Sequence, residues 1–333
     1  MRAGGSQRWL RALSGLNFAA LVLVWAGERI VGERHWLTTL LAYAPQYPLG
    51  IPAALLLLWA ALGRSARAAV ANIAALLLFA FGLLGLQVPL RVPRSAAGPR
   101  LRVMTYNIHH APRGAERTAA AIRREEPDVV CAQEAEGFRG VTDPMPELER
   151  LLAGWHSYRV GELALFSRHP FTARRAHQLA TGPRRHLLIA TIEVAGRRLT
   201  IINVHLNTAA RPRSLLRRQG ATAPEYLRES TEVRSRQVEE LLEVAGAIPG
   251  PVVLAGDFNT PPRGRLYHRL AARFTDAFAA AGWGLGHTFR ADLPVLRIDY
   301  VWAGPGVRAL ACRVPATGAS DHLPVVADLA LER

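Results

Sequence analysis

Hydrophobic and polar positions divide this chain near residue 95. Before that point three long apolar stretches recur: 13–27, a second within 36–63 whose densest part reads PLGIPAALLLLWAALG, and 68–90. Roughly 20 apolar residues carry a helix across a bilayer. Two of the stretches are apolar around the whole helix circumference, which argues against ordinary core helices. The pattern therefore predicts an N-terminal bundle of about three transmembrane helices in residues 1–95, with spans at about 12–31, 40–63 and 68–90. A cleaved signal peptide is the competing reading of the first stretch. No small-x-small cleavage site stands out and two more spans follow it, so an uncleaved helix is preferred.

After the segment RVPRSAAGPRLR (91–102), rich in Pro, Gly, Ser and Arg, the pattern changes to short apolar runs alternating with amphipathic ones. The linker is placed at 96–102 and a second domain at 103–333. RVMTYNIHH, VVCAQE, LALFSRHP, HLLIATIEVAG, RLTIINVHLN, GPVVLAGDFN, RIDYVWAG and HLPVVADLAL read as strands. GAERTAAAIRREEPD reads as an amphipathic helix stopped near Pro127. ESTEVRSRQVEELLEVAGAI reads as another, with Ser230 or Thr231 as its N-cap. The alternation, together with hairpin-like pairs of strands, predicts an α/β domain with mixed sheets.

Charge changes this picture only in part. Residues 1–100 hold ten arginines and two acids, so +8 of the formal +15 flanks the apolar spans and +7 belongs to the rest. The chain contains no lysine, and so complete a bias weakens the meaning of any single arginine. The moderately basic second domain favours anionic partners: phosphates, nucleic acid or anionic lipid. Arg2, Arg8, Arg11, Arg64 and Arg67 fall on one side of a three-span bundle. Arg29 and Arg34 on the other side are balanced by Glu28 and Glu33. Cytoplasmic excess of arginine then puts the N-terminus inside and the second domain outside, as a multi-pass cell-membrane protein. Cys131 and Cys312 lie in apolar runs and read as small core residues, with no disulfide framework or zinc spacing.

Candidate chemistry collects at the polar ends of the apolar strands. LAGDFNTPP (254–262) is the sharpest case: in extended chain Asp257 and Asn259 share a face and Phe258 takes the other. An Asx turn capping the strand is the plainer reading. Asn107 follows VMTY, Glu134 follows VVCAQ, His205 follows IINV, Asp299 stands in LRIDYVW and Asp321-His322 in SDHLPV. Singly, each has an ordinary structural role: a turn cap, a surface acid, a satisfied core histidine. Together they form a set of hard oxygen donors suited to Mg²⁺ or Mn²⁺. Beside them stand histidines suited to proton transfer or to hydrogen bonds with phosphate.

TYNIHH, PDVVCAQE, NVHLN, GDFNTPP, RIDYVW and SDHLPV, in that order, resemble the motifs of the endonuclease/exonuclease/phosphatase superfamily, metal-dependent phosphodiesterases of the pancreatic-deoxyribonuclease type. The resemblance runs from about 101 to 331 and leaves the spans outside it. It implies a four-layer sandwich, two mixed β-sheets flanked by helices, and hydrolysis of a phosphodiester or phosphomonoester by in-line water attack (EC 3.1). It implies Glu134 as the main Mg²⁺ or Mn²⁺ ligand with Asn107 and Asp321 near the metal. Asp257 and Asn259 would position or deprotonate the water, Asp299 would orient His322, and His205 would donate to a phosphoryl oxygen. His205 also separates this chain from abasic-site repair relatives, which lack it.

A nuclease and a sphingomyelinase-type head-group phosphodiesterase remain two substrate readings. A non-catalytic phosphate-binding membrane module is the second functional class. The implied partners are a phosphate-ester substrate and the lipid bilayer, with no protein partner. The segment NTAARPRSLLRRQGATAPEYLRES reads as a loop of over twenty residues at the mouth of the site. Its Arg211, Arg213, Arg217 and Arg218 would form a basic, substrate-binding lip, the alternative being a solvated loop.

Overall fold

The structure, a computed structural model, describes residues 2–89, 98–138, 140, 142–182, 185–208 and 222–332. Residues 96–97 of the linker and Arg211, Arg213, Arg217 and Arg218 lie outside the described residues. The chain divides into two compact units, Met1–Leu86 with Pro262–Arg265, and Gln87–Pro261 with Leu266–Arg333.

The first unit is helical: α1 (Arg2–Ala26), α2 (Trp36–Tyr43), α3 (Ile51–Leu62) and α4 (Ala66–Leu77). By length and composition, the helical runs Gly5–Arg34 and Ala66–Leu83 are apolar enough to cross a membrane. Trp36–Tyr43 with Tyr47–Leu62 makes a third if that pair, bent by 88°, is one span. The predicted helix over 40–63 is thus interrupted, at 44–46, where Pro45 lacks a donor and Pro48 opens the next turn. Within the unit, buried Asn72 donates to Ser14 Oγ at 2.8 Å, tying α4 to α1. Glu28 and Glu33 are buried rather than exposed beside their arginine neighbours. The Arg263 guanidinium lies 3.3 Å from Glu28, and the Arg265 N–H donates to Glu33 at 2.7 Å.

Among the described residues, the second unit is built on twelve strands. They are β1 (Arg100–Asn107), β2 (Val129–Gln133), β3 (His156–Val160), β4 (Leu163–Ser167), β5 (Phe171–Gln178) and β6 (His186–Val194). They continue with β7 (Arg197–His205), β8 (Val252–Asp257), β9 (Thr275–Asp276), β10 (Asp299–Ala303), β11 (Val307–Arg313) and β12 (Val325–Leu331). Helices α5 (Ala115–Arg124), α6 (Met145–Leu151), α7 (Ala223–Gly246), α8 (Arg265–Ala271) and α9 (Ala277–Ala281) intervene. The strands form two six-stranded mixed sheets, in the orders β11-β12-β1-β2-β4-β3 and β5-β6-β7-β8-β10-β9. Each has one parallel pair near its middle, β1 with β2 and β7 with β8.

Strand periodicity sorts the side chains into layers. Leu101 and Val103 of β1, Val129 and Cys131 of β2, Leu199 and Ile201 of β7, and Val253 and Ala255 of β8 enter one core between the sheets. The alternate residues face outward. Met104, Tyr106, Val130 and Ala132 pack with α5 and α6, and Ile202, Val204, Leu254 and Trp302 pack with α7 and α8. This is the expected four-layer sandwich. Each fully buried large aliphatic side chain in these cores contributes ~1.5–3 kcal/mol.

Two local expectations change. Helix α7 starts at Ala223, seven residues ahead of the expected Ser230 cap. Thr222 and Glu225 form a reciprocal capping box there, with Pro224 in the first turn. Ser230 and Thr231 are buried inside the helix instead. Strands β3 and β5 also form, although their sequences show no apolar alternation. Both are sheet edges, where one side has no strand partner and polar residues are tolerated.

Gly256 is required by the parallel β7–β8 pairing: it sits opposite Val204, and an added Cβ would collide with the Val204 carbonyl. Gly256→Ala is expected to destabilise the protein by ~1–3 kcal/mol through forced separation of the strands. An unchanged denaturant midpoint would show that the strands yield freely.

Candidate functional site

The same parity that fills the core builds the site. On β1 the inward row 101, 103, 105 ends at Asn107; on β7 the row 199, 201, 203 ends at His205. On β8 it ends at Asp257, and on β10 it begins at Asp299. Register sets His205 beside Asp257 on one flank and Asp299 beside it on the other. Glu134 follows β2 with φ 52°. These residues stand at the C-terminal ends of the parallel strands, where open α/β sheets bind ligands.

Asn107 joins the two sheets. Its Nδ2 donates to Glu134 Oε1 and to Asp257 Oδ2, each at 3.1 Å. Its Oδ1 accepts from the His109 N–H at 3.0 Å, so its amide nitrogen, not its oxygen, faces the two carboxylates. Asp257 is 1 % exposed. Its Oδ1 accepts from the Asn259 N–H at 2.9 Å, while His205 Nε2 and His322 Nε2 lie 3.6 and 3.9 Å from its Oδ2. Asn259 leaves the strand with φ 48° and donates through Nδ2 to the Leu206 carbonyl at 3.1 Å. The GDFN tip is therefore both an Asx-type turn and part of the polar cluster; Phe258 is buried on the opposite face, as alternation requires.

His322 Nδ1 lies 2.9 Å from Asp299 Oδ2, and its ring packs against Phe289 at 4.8 Å. Asp321 joins the cluster through Ser320 and through His109 Nδ1, 3.7 Å from its Oδ1. Ser320 Oγ also donates to the Asn107 carbonyl at 2.7 Å. All eight residues singled out from the sequence thus lie in one connected cluster.

Four further residues belong to it. Glu162 Oε2 lies 2.9 Å from His205 Nδ1, and Arg185 contacts both that carboxylate and the same ring nitrogen. His109 Nδ1 lies 3.2 Å and His110 Nε2 3.4 Å from Glu134 Oε2. Glu162 sits in a turn before β4 and Arg185 just before β6, with no apolar run ending on them to mark them out. The two histidines were visible in TYNIHH but carried no separate signal.

Burial and partners drive the carboxylates apart. Burial, then the neighbouring Asp299 charge, push Asp257 up to about 6, against the opposing pull of His322 and His205. Burial would raise Glu134 as well, but hydrogen bonds from His109 and Asn107 and the charge of His205 hold it far below the usual carboxylate range. His322 is raised to about 10: burial disfavours its cation, and the charge and hydrogen bond of Asp299, then Asp257, outweigh that.

The sequence profile of the Endonuclease/Exonuclease/phosphatase family matches residues 104–322. The chain belongs to that family. No curated protein matches it. Among solved structures, an endonuclease/exonuclease/phosphatase from Beutenbergia cavernae is 26% identical, with 70% of this chain and 72% of that chain covered and a TM-score of 0.54. A Bacteroides thetaiotaomicron mannosyl-6-phosphatase (17%; 69% and 100%; TM-score 0.55) shares the fold. So does the human Nocturnin catalytic domain (19%; 71% and 96%; TM-score 0.51).

Members of the family are generally hydrolytic phosphoesterases, typically dependent on a divalent metal, and the residues here fit such an ion. Ligand atoms of Asp257, Asp299 and His322 lie within 4.8 Å of one another. Asp299 Oδ1 is buried with no hydrogen-bond partner, an orphaned anionic oxygen of the kind a cation satisfies. A cavity of about 640 Å³ borders the cluster at His109, Phe289, Arg290, Ser320 and Asp321, and another of about 460 Å³ borders it at His110, Glu134, Arg185 and His205. Either suits a nucleotide- or sugar-phosphate-sized group.

The raised His322 has a testable consequence. Its contribution to stability is fully present below its unfolded value, near 6.5, and is lost as pH rises through about 10. In chelator-treated protein labelled with ¹⁵N-histidine, the His322 imidazolium signal should persist above pH 8, and Asp299→Asn should bring its titration back toward ~6.5. An ordinary histidine titration in the unmodified protein would contradict this environment.

Proposed function

We propose that this protein is a membrane-anchored, divalent-metal-dependent phosphodiesterase that cleaves its substrate by in-line attack of water on phosphorus. One observation carries the reading. A single buried amide, Asn107, spans a strongly ionised carboxylate from one sheet, Glu134, and a proton-accepting carboxylate from the other, Asp257.

Glu134, with Asn107 and Asp321 near it, would hold Mg²⁺ or Mn²⁺, which when bound would offset the negative charge that builds on the phosphoryl oxygens. Asp257 accepts the proton of the attacking water, its free carboxylate direction fixed by the Asn259 N–H. His205 turns Nδ1 to Glu162 and keeps Nε2 for a phosphoryl oxygen. His322, charged and aligned by Asp299, donates to a second one. The water oxygen bonds to phosphorus, its proton passes to Asp257, and the ester oxygen departs opposite. Preorganised donors of this kind are worth ~10²–10³ in rate each.

The membrane spans and the arginine count near them support an extracytoplasmic catalytic domain. The basic stretch with Arg211, Arg213, Arg217 and Arg218 favours a polyanionic or surface-bound diester, a nucleic acid or a lipid head group.

Glu134→Gln keeps the side-chain shape and removes the anion. Hydrolysis of a chromogenic phosphodiester should fall on the order of a thousandfold, with the fold intact. Excess chelator should act likewise on the unmodified protein, reversed by Mg²⁺ or Mn²⁺. Undiminished turnover in chelator would refute the mechanism; phosphate binding without any turnover would favour the non-catalytic module. For orientation, protease added to intact spheroplasts should cut within 91–102. Cleavage only after lysis would reverse it.

A further inference from the structure

We propose that Asn203 is a positioning residue for the hydrolysis: its carboxamide, reaching from β7 to the facing sheet, fixes the β2–β4 register at the bulge that aims Glu134 and Glu162 into the site. The proposal rests on the phosphodiesterase reading above and adds to it a residue that acts through its neighbours.

The β2–β4 ladder carries one extra residue at the rim. Its last regular pair is Ala132 with Ala164, so residue 134 would next stand opposite residue 162. Instead the Ala135 N–H donates to the Glu162 carbonyl at 2.8 Å, and Glu134 has φ 52°. An extra residue on one strand of an antiparallel pair bends that strand and re-aims its side chains. Here Glu134 Oε1 comes to 3.1 Å from Asn107 Nδ2, and across the pair Glu162 Oε2 comes to 2.9 Å from His205 Nδ1. Backbone pairing alone does not say where along a strand such an insertion falls. A slip of one residue would put Gln133 or Ala135 in the place of Glu134.

Asn203 selects the position. Its Nδ2 donates to the Ala132 and Ala164 carbonyls, each at 2.9 Å, and these are the two residues of the last regular pair. Carbonyl oxygens only accept, so the carboxamide has one orientation, with Oδ1 turned away from them. That oxygen accepts from Gln133 Nε2 at 2.7 Å, and Nε2 donates also to the Cys131 carbonyl at 3.0 Å and to Thr105 Oγ1 at 3.1 Å. Thr105, Gln133 and Asn203 are all fully buried. A paired amide network closed to water specifies one arrangement, because a shifted strand would leave buried donors unmade.

The spacing links this network to the site. Ala132 stands two residues before Glu134, Ala164 two after Glu162, and Asn203 two before His205. Side chains two apart on a strand share a face, so Asn203 and His205 both enter the gap between the sheets. One amide thus grips the strands of three site residues, each one step below the rim.

The full chain is assayed in detergent micelles with saturating Mn²⁺ and a chromogenic phosphodiester, well below the Tm of each variant. Asn203→Leu roughly keeps the volume and removes both donated bonds; kcat should fall about 10–100-fold, with KM changed less than about threefold. Ile201→Ala opens a cavity in the inter-sheet core, in the same inward row of β7. It should lower Tm at least as much, yet change kcat less than about twofold. The unmodified chain, labelled with ¹⁵N-asparagine, supplies a readout that needs no variant. Its Asn203 side-chain N–H groups should exchange with solvent at least about a hundredfold more slowly than those of an exposed asparagine. A kcat for Asn203→Leu within about twofold of the unmodified value would overturn the positioning role, and so would fast exchange of the Asn203 amide. Either result leaves the phosphodiesterase reading standing. Absence of turnover by the unmodified chain would overturn that reading and this assignment with it.

Discussion

Two buried carboxylates, Asp257 and Asp299, lie directly opposite each other on neighbouring antiparallel strands, each 1 % exposed. Like charges in that cross-strand position repel, and burial makes each more costly. Much of the surrounding site answers this constraint. His322 sits within reach of both, His205 flanks Asp257 from the parallel side, and Asn107 and the Asn259 N–H supply hydrogen bonds to Asp257. His205 in turn needs Glu162, and Glu162 is paired with Arg185. A chain of alternating charges thus runs outward from one unfavourable pair, each member compensating the one before.

The sandwich is what allows this chain to close. Inward-facing positions of both sheets are apolar along most of their length and turn polar at one rim, so two half-sites face each other across a core that excludes water. Gly256 lets β8 lie close to β7 at that rim, and Asn107 then spans the gap from β1 to Asp257. Neither sheet alone could supply the set. A mannosyl-6-phosphatase and Nocturnin's catalytic domain share this fold.

Much of this was legible in the sequence, for a physical reason. Asn107, Glu134, His205 and Asp257 each end an apolar strand, where a buried-looking run has no need of a polar side chain, and that contrast marks them. Glu162 and Arg185 contact His205 just as directly but precede their strands, where polar residues are the norm. Strands β3 and β5 escaped because edge strands need not alternate. The start of α7 was misplaced because the S-T pair at 230–231 resembles a cap, whereas Thr222, Pro224 and Glu225 together make a stronger one. The bend in the second apolar stretch was signalled by Pro45 and Pro48 but hidden by the hydropathy around them.

The electrostatics separate two carboxylates that share one amide donor. Glu134 and Asp257 both accept from Asn107 Nδ2 at 3.1 Å, yet their environments push them in opposite directions. Glu134 gathers donors and cationic neighbours and stays ionised, the state a cation ligand requires. Asp257 is fully buried beside Asp299, so its proton affinity rises, which suits the base role proposed for it. Separation of paired titratable groups in this manner is how a single site divides acid–base work from charge-holding work. Here the divider is the β8–β10 register: it sets Asp299 against Asp257 and leaves Glu134, on the other sheet, free of that repulsion.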